Sequence, residues 1–520
     1  MYDFFEWTKA NPERVAVVVE ATGRRHTRYE VAQRAELMAQ WLIAQGLKAG
    51  DRFAVLLENR IEFLEIGLAA RLAGLYMVPV NTHLVAEDIG YILTNSGAKL
   101  VFASNKTFHL LDKLRDGLVP PCWTVDDDEA FGKSLTLSLK RMHRSEFVDL
   151  SARPIGRELI YTSGTTGRPK GVLLAMRSAA SRKMPTQADV MLVETLSLDD
   201  SVVYLHPAPL YHSAPLRYSL RVMDFGGKVV LMDRFDPEAS LAAIQRHAVT
   251  HSQWVPTMFG RMLGLSPEVR GAYDLSSHRV AIHAAAPCPV STKLAMLEWW
   301  GDILIEYYAG SEQQGTTLIM PGEWRQRPGS VGRAVIGRVH IVDENDVELA
   351  PGEIGGVYFS GGSEFEYLGD AKKTRAAINK HGWGTYGDLG HIDEEGYLFL
   401  SDRSADLIIS GGVNLYPQEI ENVLRSSPDV EDVAVVGIPD ADLGEVPFAV
   451  VVAASTQTSE SAAANRIVEF ARSRLTRMQT PRGILFVEDL PRSEAGKLLR
   501  RVLKENYRAG LGIAASLPFA

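Results

Sequence analysis

Cysteine is nearly absent from this sequence, which holds only Cys122 and Cys288 in 520 residues. The two thiols show no metal-type spacing, so neither a cysteine-based metal site nor a dense disulfide framework is indicated. We therefore expect a reducing, cytoplasmic setting.

Long apolar runs and an excess of positive charge are also missing. The longest apolar stretches, near 72–86 and 201–216, contain Pro, His or Asn, so no transmembrane segment is expected. The N-terminus carries acids and has no basic patch followed by an apolar run, so we expect no signal peptide. Lys and Arg number 55 against 64 Asp and Glu, and the net charge of −9 argues against a nucleic-acid partner.

The chain is too long for one hydrophobic core, so at least two domains are expected. Between 15 and 104, short apolar runs alternate with helical patterns. Residues 14–20 and 52–57 are typical of strands, and residues 61–72 are typical of a helix. Another helix is predicted between the two strands, where apolar residues recur at helical spacing: Val31, Ala35, Met38, Leu42 and Ile43. Such alternation indicates an α/β domain with helices packed on a sheet.

The most informative stretch is 161–171, Tyr-Thr-Ser-Gly-Thr-Thr-Gly-Arg-Pro-Lys-Gly. Two glycines and four hydroxyl residues lie between Thr162 and Gly167, so the backbone can bend while N–H and O–H groups converge, as a polyphosphate requires. Lys170 adds a cation. No glycine stands where a Walker P-loop needs it, so another nucleotide fold is indicated. A Ser/Thr/Gly surface loop is the alternative.

This stretch resembles the phosphate loop of the adenylate-forming superfamily, which includes acyl-CoA synthetases, firefly-type luciferases and peptide-synthetase adenylation domains. Segments 308–312, 382–390, 401–421 and 490–497 resemble the same superfamily in the expected order, so the resemblance covers nearly the whole chain. It implies a large N-terminal α/β domain with several sheets, residues 1–402. A small, mobile α+β C-terminal domain, residues 403–520, would follow a hinge near Ala405.

The resemblance also implies an ATP site. The triphosphate would lie against the loop, Ser311 would face the α-phosphate, and Glu312 with Thr165 would hold Mg²⁺, which prefers carboxylate oxygen. The phosphate-binding residues would be Thr162, Ser163, Gly164, Thr165, Thr166, Gly167, Lys170 and Ser311. Adenine and ribose would contact Ala285, Ala286, Tyr308, Asp388 and Arg403.

A proline-rich segment, 207–215, predicts a rigid loop without a regular element around His212. A lone histidine is usually structural, but the resemblance places His212 in the carboxylate pocket. The acyl pocket would be formed by His212, Trp254, Met258, Ala284, Ala309 and Gly310. Its uncharged lining predicts a hydrophobic acid. The sequences of 284–289 and 307–312 are more similar to synthetases for bulky substrates than to acetate enzymes, and this resemblance implies long acyl, steroid-like or terpenoid-like acids. Aryl acids stay open.

In the C-terminal domain, the resemblance makes Lys497 the catalytic lysine, which acts with Glu312 and Thr165. Gly411 and Gly412 would let the pantetheine arm of CoA pass close to the backbone. Four positions depart from the superfamily pattern: Ala309 for Gly, Ser311 for Thr, Tyr386 for Thr or Ser, and Ala405 for a charged hinge residue.

Together these features predict an acyl-CoA synthetase that uses ATP, Mg²⁺ and CoA and alternates between two domain arrangements. An adenylating enzyme that loads a carrier-protein phosphopantetheine is one alternative, and a non-catalytic acyl or nucleotide binder is another. The expected partners are a small carboxylic acid, ATP and CoA. A second copy of the chain, in a homodimer, and a carrier protein are further alternatives.

Overall fold

The computed structural model describes residues 2–114, 117–127, 133–142, 147–162, 168–403, 406–411, 413–440, 442–454, 459–492, 498–508 and 517–518. The helices in these ranges are α1 Phe4–Ala10, α2 Arg28–Ala44, α3 Ile61–Ala73, α4 Ala86–Ser96, α5 Leu135–Lys140, α6 Gln187–Leu196, α7 Ser213–Asp224, α8 Pro237–His247, α9 Pro256–Leu263, α10 Pro267–Arg270, α11 Val290–Trp300, α12 Pro321–Gln326, α13 Ala371–Ala376, α14 Pro417–Arg425, α15 Glu460–Arg472 and α16 Arg500–Arg508.

The strands of the first half are β1 Val15–Val19, β2 Arg24–Thr27, β3 Arg52–Leu56, β4 Tyr76–Pro79, β5 Val101–Ala103, β6 Cys122–Thr124, β7 Lys133–Ser134, β8 Arg157–Glu158, β9 Ile160–Thr162, β10 Lys170–Leu174, β11 Val203–His206, β12 Lys228–Leu231 and β13 His251–Trp254. Those of the second half are β14 Val280–His283, β15 Leu304–Ala309, β16 Thr316–Ile319, β17 Ser330–Ile336, β18 Arg338–Val342, β19 Gly355–Ser360, β20 Phe365–Tyr367, β21 Gly384–Ile392, β22 Leu398–Arg403, β23 Ile408–Ser410, β24 Val413–Leu415, β25 Val430–Asp440, β26 Gly444–Ala453, β27 Gly483–Phe486 and β28 Leu517–Pro518.

Three sheets precede residue 404. The described residues form a 13-stranded sheet in the order β18-β19-β21-β22-β17-β16-β15-β14-β13-β11-β12-β1-β2 and a 6-stranded sheet in the order β7-β6-β5-β3-β4-β8. A third, 3-stranded sheet has the order β20-β10-β9. The neighbours β11, β13, β14 and β15 run parallel, so their carboxyl ends meet at one edge of the large sheet.

The N-terminal core forms because helix α2 buries an apolar face and helix α3 is buried on nearly all sides. Helix α2 begins at a capping box in which the Thr27 side chain accepts from Glu30 N–H and Glu30 accepts from Thr27 N–H. The predicted helical period is confirmed, since Val31, Ala35 and Met38 are buried. These side chains join one hydrophobic cluster with strand residues of both large sheets.

The C-terminal domain is smaller and is built on the antiparallel pair β25 and β26, so a mixed α/β fold with a large and a small domain is confirmed. Both faces of β25 are buried, because Val433 and Val435 pack with α14 and α15 while Ala434 and Val436 lie in a separate cluster with α16. Helix α14 starts with Pro417 at its first turn and ends at Arg425, as predicted.

The chain leaves the 13-stranded sheet at Arg403 and enters the C-terminal sheet at Ile408. Ala405 lies between these strands, outside the described residues. The boundary at 402/403 and the hinge stay predictions.

Candidate functional site

The candidate site lies where the carboxyl ends of the parallel strands meet, the usual ligand-binding edge of an α/β sheet. Strand β11 leads to His212, β13 ends at Trp254, and β14 leads to Ala284. A cleft of about 2350 Å³ opens there. Single-ligand pockets usually measure about 300–1,000 Å³, so this cleft has room for more than one substrate. Residues of the C-terminal domain, including Arg425 and Arg500, line its other side.

The phosphate-loop hairpin consists of β9 and β10, which pair Thr162 with Lys170 and so bring both residues to the cleft. The loop between them was predicted to bind phosphate, and five of its residues lie outside the described part of the chain: Ser163, Gly164, Thr165, Thr166 and Gly167. Lys170 Nζ lies 5.0 Å from the ring centroid of Tyr367, within cation–π range.

Tyr367 joins the hairpin to the predicted metal ligand. Its strand, β20, pairs with β10, and its hydroxyl donates to Glu312 Oε1 at 2.8 Å. Glu312 and Ser311 follow β15 directly and line the cleft. Sequence reasoning missed Tyr367. Its short apolar alternation from Phe365 predicts a strand, but nothing local to it indicates pairing with a hairpin near residue 170.

Glu312 could hold a magnesium ion. The described residues contain no group of three or more His, Cys, Asp and Glu side chains arranged for a metal. Mg²⁺ commonly takes one or two carboxylates and completes its shell with substrate phosphates and water. A single carboxylate at the phosphate side of the cleft therefore fits this cation.

The predicted adenine and ribose residues are held together by a short hydrogen bond. Tyr308 Oη donates to Asp388 Oδ2 at 2.5 Å, and Asp388 is mostly buried on β21. Arg403 stands opposite Asp388 in the pairing of β21 with β22, although its side chain lies outside the description. Ala285 and Ala286 line the same cleft, and Ala285 has a φ of 75°. A left-handed alanine costs energy, so this turn is held by its surroundings.

The departure at Tyr386 is explained by its contacts. Its ring packs on Gly310, and its hydroxyl donates to the Gly315 carbonyl at 2.9 Å and accepts from the Gly315 N–H at 3.0 Å. The ring of Tyr308 meets it edge-on at 5.6 Å. Burial raises the pKa of Tyr386 to about 12, so the hydroxyl stays protonated and fixes the segment that follows Glu312.

His212 corrects one prediction, since a regular element does begin inside the proline-rich segment. His212 is the N-cap residue of α7, and Pro215 is the third residue of that helix. Proline is tolerated in a first helical turn, where its missing N–H has no intrahelical acceptor. Burial lowers the pKa of His212 to about 4, so the imidazole is neutral at neutral pH. Within the described chain, its Nε2 has no hydrogen-bond partner.

The remaining predicted acyl-pocket residues also line the cleft: Trp254, Met258, Ala284, Ala309 and Gly310. Trp254 and Met258 are buried and belong equally to a hydrophobic core cluster.

Two predicted features of the C-terminal domain cannot be placed. Lys497 and Gly412 lie outside the described residues. Gly411 has a φ of 55° and donates its N–H to the Leu443 carbonyl at 2.7 Å, and it is not among the residues that line the cleft.

The described helices include none that is both long and apolar enough to cross a membrane.

A hairpin for phosphate, a carboxylate beside it and a tyrosine–aspartate pair share one cleft, and a small second domain faces them. This arrangement is that of an adenylate-forming enzyme. The AMP-binding enzyme family matches residues 4–366, and the AMP-binding enzyme C-terminal domain matches residues 419–497. The chain therefore belongs to the AMP-binding enzyme family, as an AMP-forming acid–thiol ligase.

Individual proteins are similar to this chain over nearly its full length. A long-chain-fatty-acid–CoA ligase of Mycobacterium tuberculosis is 34% identical over 510 residues, 96% of each chain. A 2-succinylbenzoate–CoA ligase of Geobacillus kaustophilus is 32% identical, with 95% of each chain covered. The structure of ATP-bound MatB from Rhodopseudomonas palustris has a TM-score of 0.83 at 29% identity and covers 98% of this chain and 99% of that one. The resemblance noted in the sequence is confirmed.

Proposed function

We propose that this protein is an acyl-CoA synthetase, which activates a carboxylic acid with Mg-ATP and then transfers the acyl group to CoA. The observation that carries the proposal is that Thr162, Lys170, Glu312 and the Tyr308–Asp388 pair all line one cleft. Relatives named as CoA ligases support the same reaction.

A carboxylate resists a nucleophile because it is anionic and has no good leaving group. In the first step, a carboxylate oxygen attacks the α-phosphorus of ATP and pyrophosphate leaves. In the second step, the CoA sulfur attacks the acyl carbon, and the bond to AMP breaks. A bound magnesium ion offsets the charge of the triphosphate, and Glu312 would hold it.

We assign roles on the same basis. Lys170 and the loop 162–167 receive the phosphates, and Ser311 faces the α-phosphate. Asp388 accepts from the ribose hydroxyls while Tyr308 and the Ala284–Ala286 turn flank the adenine. His212, neutral at neutral pH, lies at the acyl side of the cleft with Trp254 and Met258.

Lys497 is the catalytic cation in this proposal, and the domain of residues 403–520 moves about Ala405 between the two steps. Removal of one such electrostatic contact typically costs about 10²- to 10³-fold in rate. Lys497→Ala should therefore abolish adenylation, while thioester formation from a supplied acyl-adenylate persists. Equal loss in both half-reactions would contradict domain alternation.

The acid itself is proposed to have a hydrophobic body, because Trp254, Met258 and the alanines of 284–286 form an apolar part of the cleft wall. Long acyl, aryl and polycyclic acids are the classes to compare. Pyrophosphate release is measured for each acid with and without CoA, and products are identified by mass. A CoA thioester supports the proposal. Pyrophosphate without a thioester points to a carrier-protein acceptor, and tight ATP binding without turnover points to a binding protein.

A further inference from the structure

The cleft wall that continues from His212 is cationic. Helix α7 begins directly after His212, and its residues Arg217, Tyr218 and Arg221 line the cleft. At 1.5 Å per residue, the two arginines lie about 8 Å and about 14 Å along the helix from His212. Three further arginines of the cleft lining interact electrostatically with these two or with their carboxylate partners. We call the five the arginine cluster: Arg71, Arg157, Arg177, Arg217 and Arg221.

Two members of the cluster share one carboxylate. Arg217 Nε lies 2.6 Å from Glu158 Oε1, and Arg157 Nη2 lies 3.9 Å from the same oxygen. Arg157 also donates to Gln313 Oε1 at 3.4 Å. Gln313 follows Glu312, so the cluster begins next to the predicted metal ligand.

The other three arginines have only two carboxylate partners between them. Arg71 pairs with Asp224 at 2.6 Å and Arg221 with Asp189 at 2.5 Å. Arg177 has no carboxylate within ion-pair distance in the described part of the chain, and it donates to two backbone carbonyls at 2.7 Å. Five guanidinium groups thus face three carboxylates, which leaves two positive charges in excess.

This excess is costly without an anion. Burial lowers the pKa of Arg157 and of Arg177, and the charges of Arg217 and Arg221 respectively lower each further. A half-buried positive charge with no carboxylate beside it is unfavourable, so an added anion would stabilise the cluster. Guanidinium groups suit a carboxylate, which they bind in a bidentate manner.

Aromatic side chains with polar ends line the cleft beside the cluster. The ring of Tyr218 lies 5.8 Å from that of Tyr307, whose hydroxyl accepts from Gln253 Nε2 at 3.0 Å. Both tyrosines and Gln253 line the cleft. This wall offers apolar ring surface that ends at charged groups.

We propose that the acid activated by this enzyme carries a second acidic group, a carboxylate in the simplest case, which the arginine cluster binds while the first carboxylate reacts near Glu312. The inference rests on the proposed function and narrows its substrate from a purely hydrophobic acid to an acid with an apolar body and two acidic ends. No member of the cluster belongs to the C-terminal domain, where we propose that CoA enters, and the triphosphate already has Lys170 and the loop before it.

The test compares α,ω-dicarboxylic acids with monocarboxylic acids of equal chain length in CoA thioester formation. The wild-type enzyme should prefer the diacid of best length by about tenfold or more in kcat/KM. Arg177→Gln is the diagnostic variant, because it leaves no carboxylate without a partner. It should raise KM for the diacid about tenfold and leave KM for the monoacid unchanged, while Arg177→Lys should retain most of the preference.

The matched control is Arg261→Gln, which removes an exposed arginine from another part of the cleft rim. It should leave KM for both acids unchanged. The inference is overturned if Arg177→Gln affects both acids equally, if Arg261→Gln has the diacid effect, or if KM rises for ATP or CoA instead. Efficient turnover of monoacids without a diacid preference would overturn it and leave the proposed function intact. Failure of every acid to yield a thioester would overturn the proposed function itself.

Discussion

The ring of Tyr386 lies directly against the α-carbon of Gly310. A β-carbon on Gly310 would come within 2.3 Å of Tyr386 Cε1 and 2.9 Å of Glu312 Oε2, closer than real contacts allow. The large side chain at 386 and the missing side chain at 310 are therefore one feature, which fixes the backbone between Tyr308 and Glu312.

Gly310→Ala should be strongly unfavourable, because the rigid ring cannot yield to the added methyl group. Overpacking of this kind costs about 1–3 kcal/mol. We expect a lower Tm and a loss of pyrophosphate release that exceeds the loss of folded protein. Measurement of both in the same preparation separates the two effects.

The double variant Gly310→Ala/Tyr386→Thr tests the cause. Tyr386→Thr alone should destabilise the protein, since the Gly315 N–H and carbonyl lose their partner. In the double variant the methyl group has space, so the two effects should be less than additive. Strict additivity would show that the clash is not what excludes alanine at 310.

Tyr308→Phe removes the hydroxyl that holds Asp388 and leaves the ring. A hydrogen bond to a charged group contributes about 1.5–3 kcal/mol, so KM for ATP should rise about tenfold or more, with KM for the acid unchanged. Tyr397→Phe is the matched control, because Tyr397 Oη donates to Glu323 at 2.7 Å outside the cleft. An equal change in both variants would mean that Asp388 does not contact ATP.

Tyr367→Phe separates the two contacts of Tyr367. The variant loses the hydrogen bond to Glu312 and keeps the ring beside Lys170, so the Mg²⁺ concentration for half-maximal activity should rise several-fold while KM for ATP changes little. Tyr367→Leu should raise both. Pyrophosphate release is measured against Mg²⁺ and ATP, and identical profiles for the two variants would contradict the assignment.

Stability should fall as the pH drops below about 6.5. Burial lowers the pKa of His212 to about 4 and those of His206 and His278 to about 3. The folded state resists protonation while the unfolded chain accepts protons below about 6.5, so the stabilisation is complete above that pH. It is lost progressively toward pH 4 for His212 and toward pH 3 for His206 and His278. Each such histidine contributes a slope of about 1.4 kcal/mol per pH unit.

His212→Phe should reduce the slope of the unfolding free energy against pH by the contribution of one histidine. Denaturant unfolding between pH 4 and 7 measures it, and His109→Gln, at an exposed site, is the control. A slope unchanged in His212→Phe would mean that His212 is protonated in the folded state.

Local patterns predicted much of the fold. The helical period from Val31 marks α2, which buries one face, and the apolar run before Glu20 marks β1, which is buried on both faces. Each signal lies within its own short segment. The start of α7 was missed because three prolines argued for a loop, whereas Pro215 lies in the first turn, where no N–H is needed. Periodicity reveals elements and does not reveal which helical turn a proline occupies.

The site was predicted where the residues lie next to each other in sequence and missed where they do not. The loop near Lys170 stands out by composition, and the segment ending at Glu312 stands out by its resemblance to the superfamily pattern. Tyr367 and the arginine cluster do not, because their roles come from strand pairing and from helices that meet only in the folded chain. In a sequence, an isolated arginine that lines a binding site cannot be told from an arginine that is exposed to solvent.

The hairpin that carries the phosphate loop is completed by β20, whose first residue lies 191 positions after the last residue of β10. A two-stranded hairpin is at best marginally stable, so a nascent chain that has emerged only through Leu174 lacks the strand that steadies it. At about 5–20 residues per second, the ribosome needs roughly 10–40 s to supply Phe365. Nucleotide is therefore expected to bind late during synthesis, and any truncation before residue 365 should leave a chain unable to retain ATP.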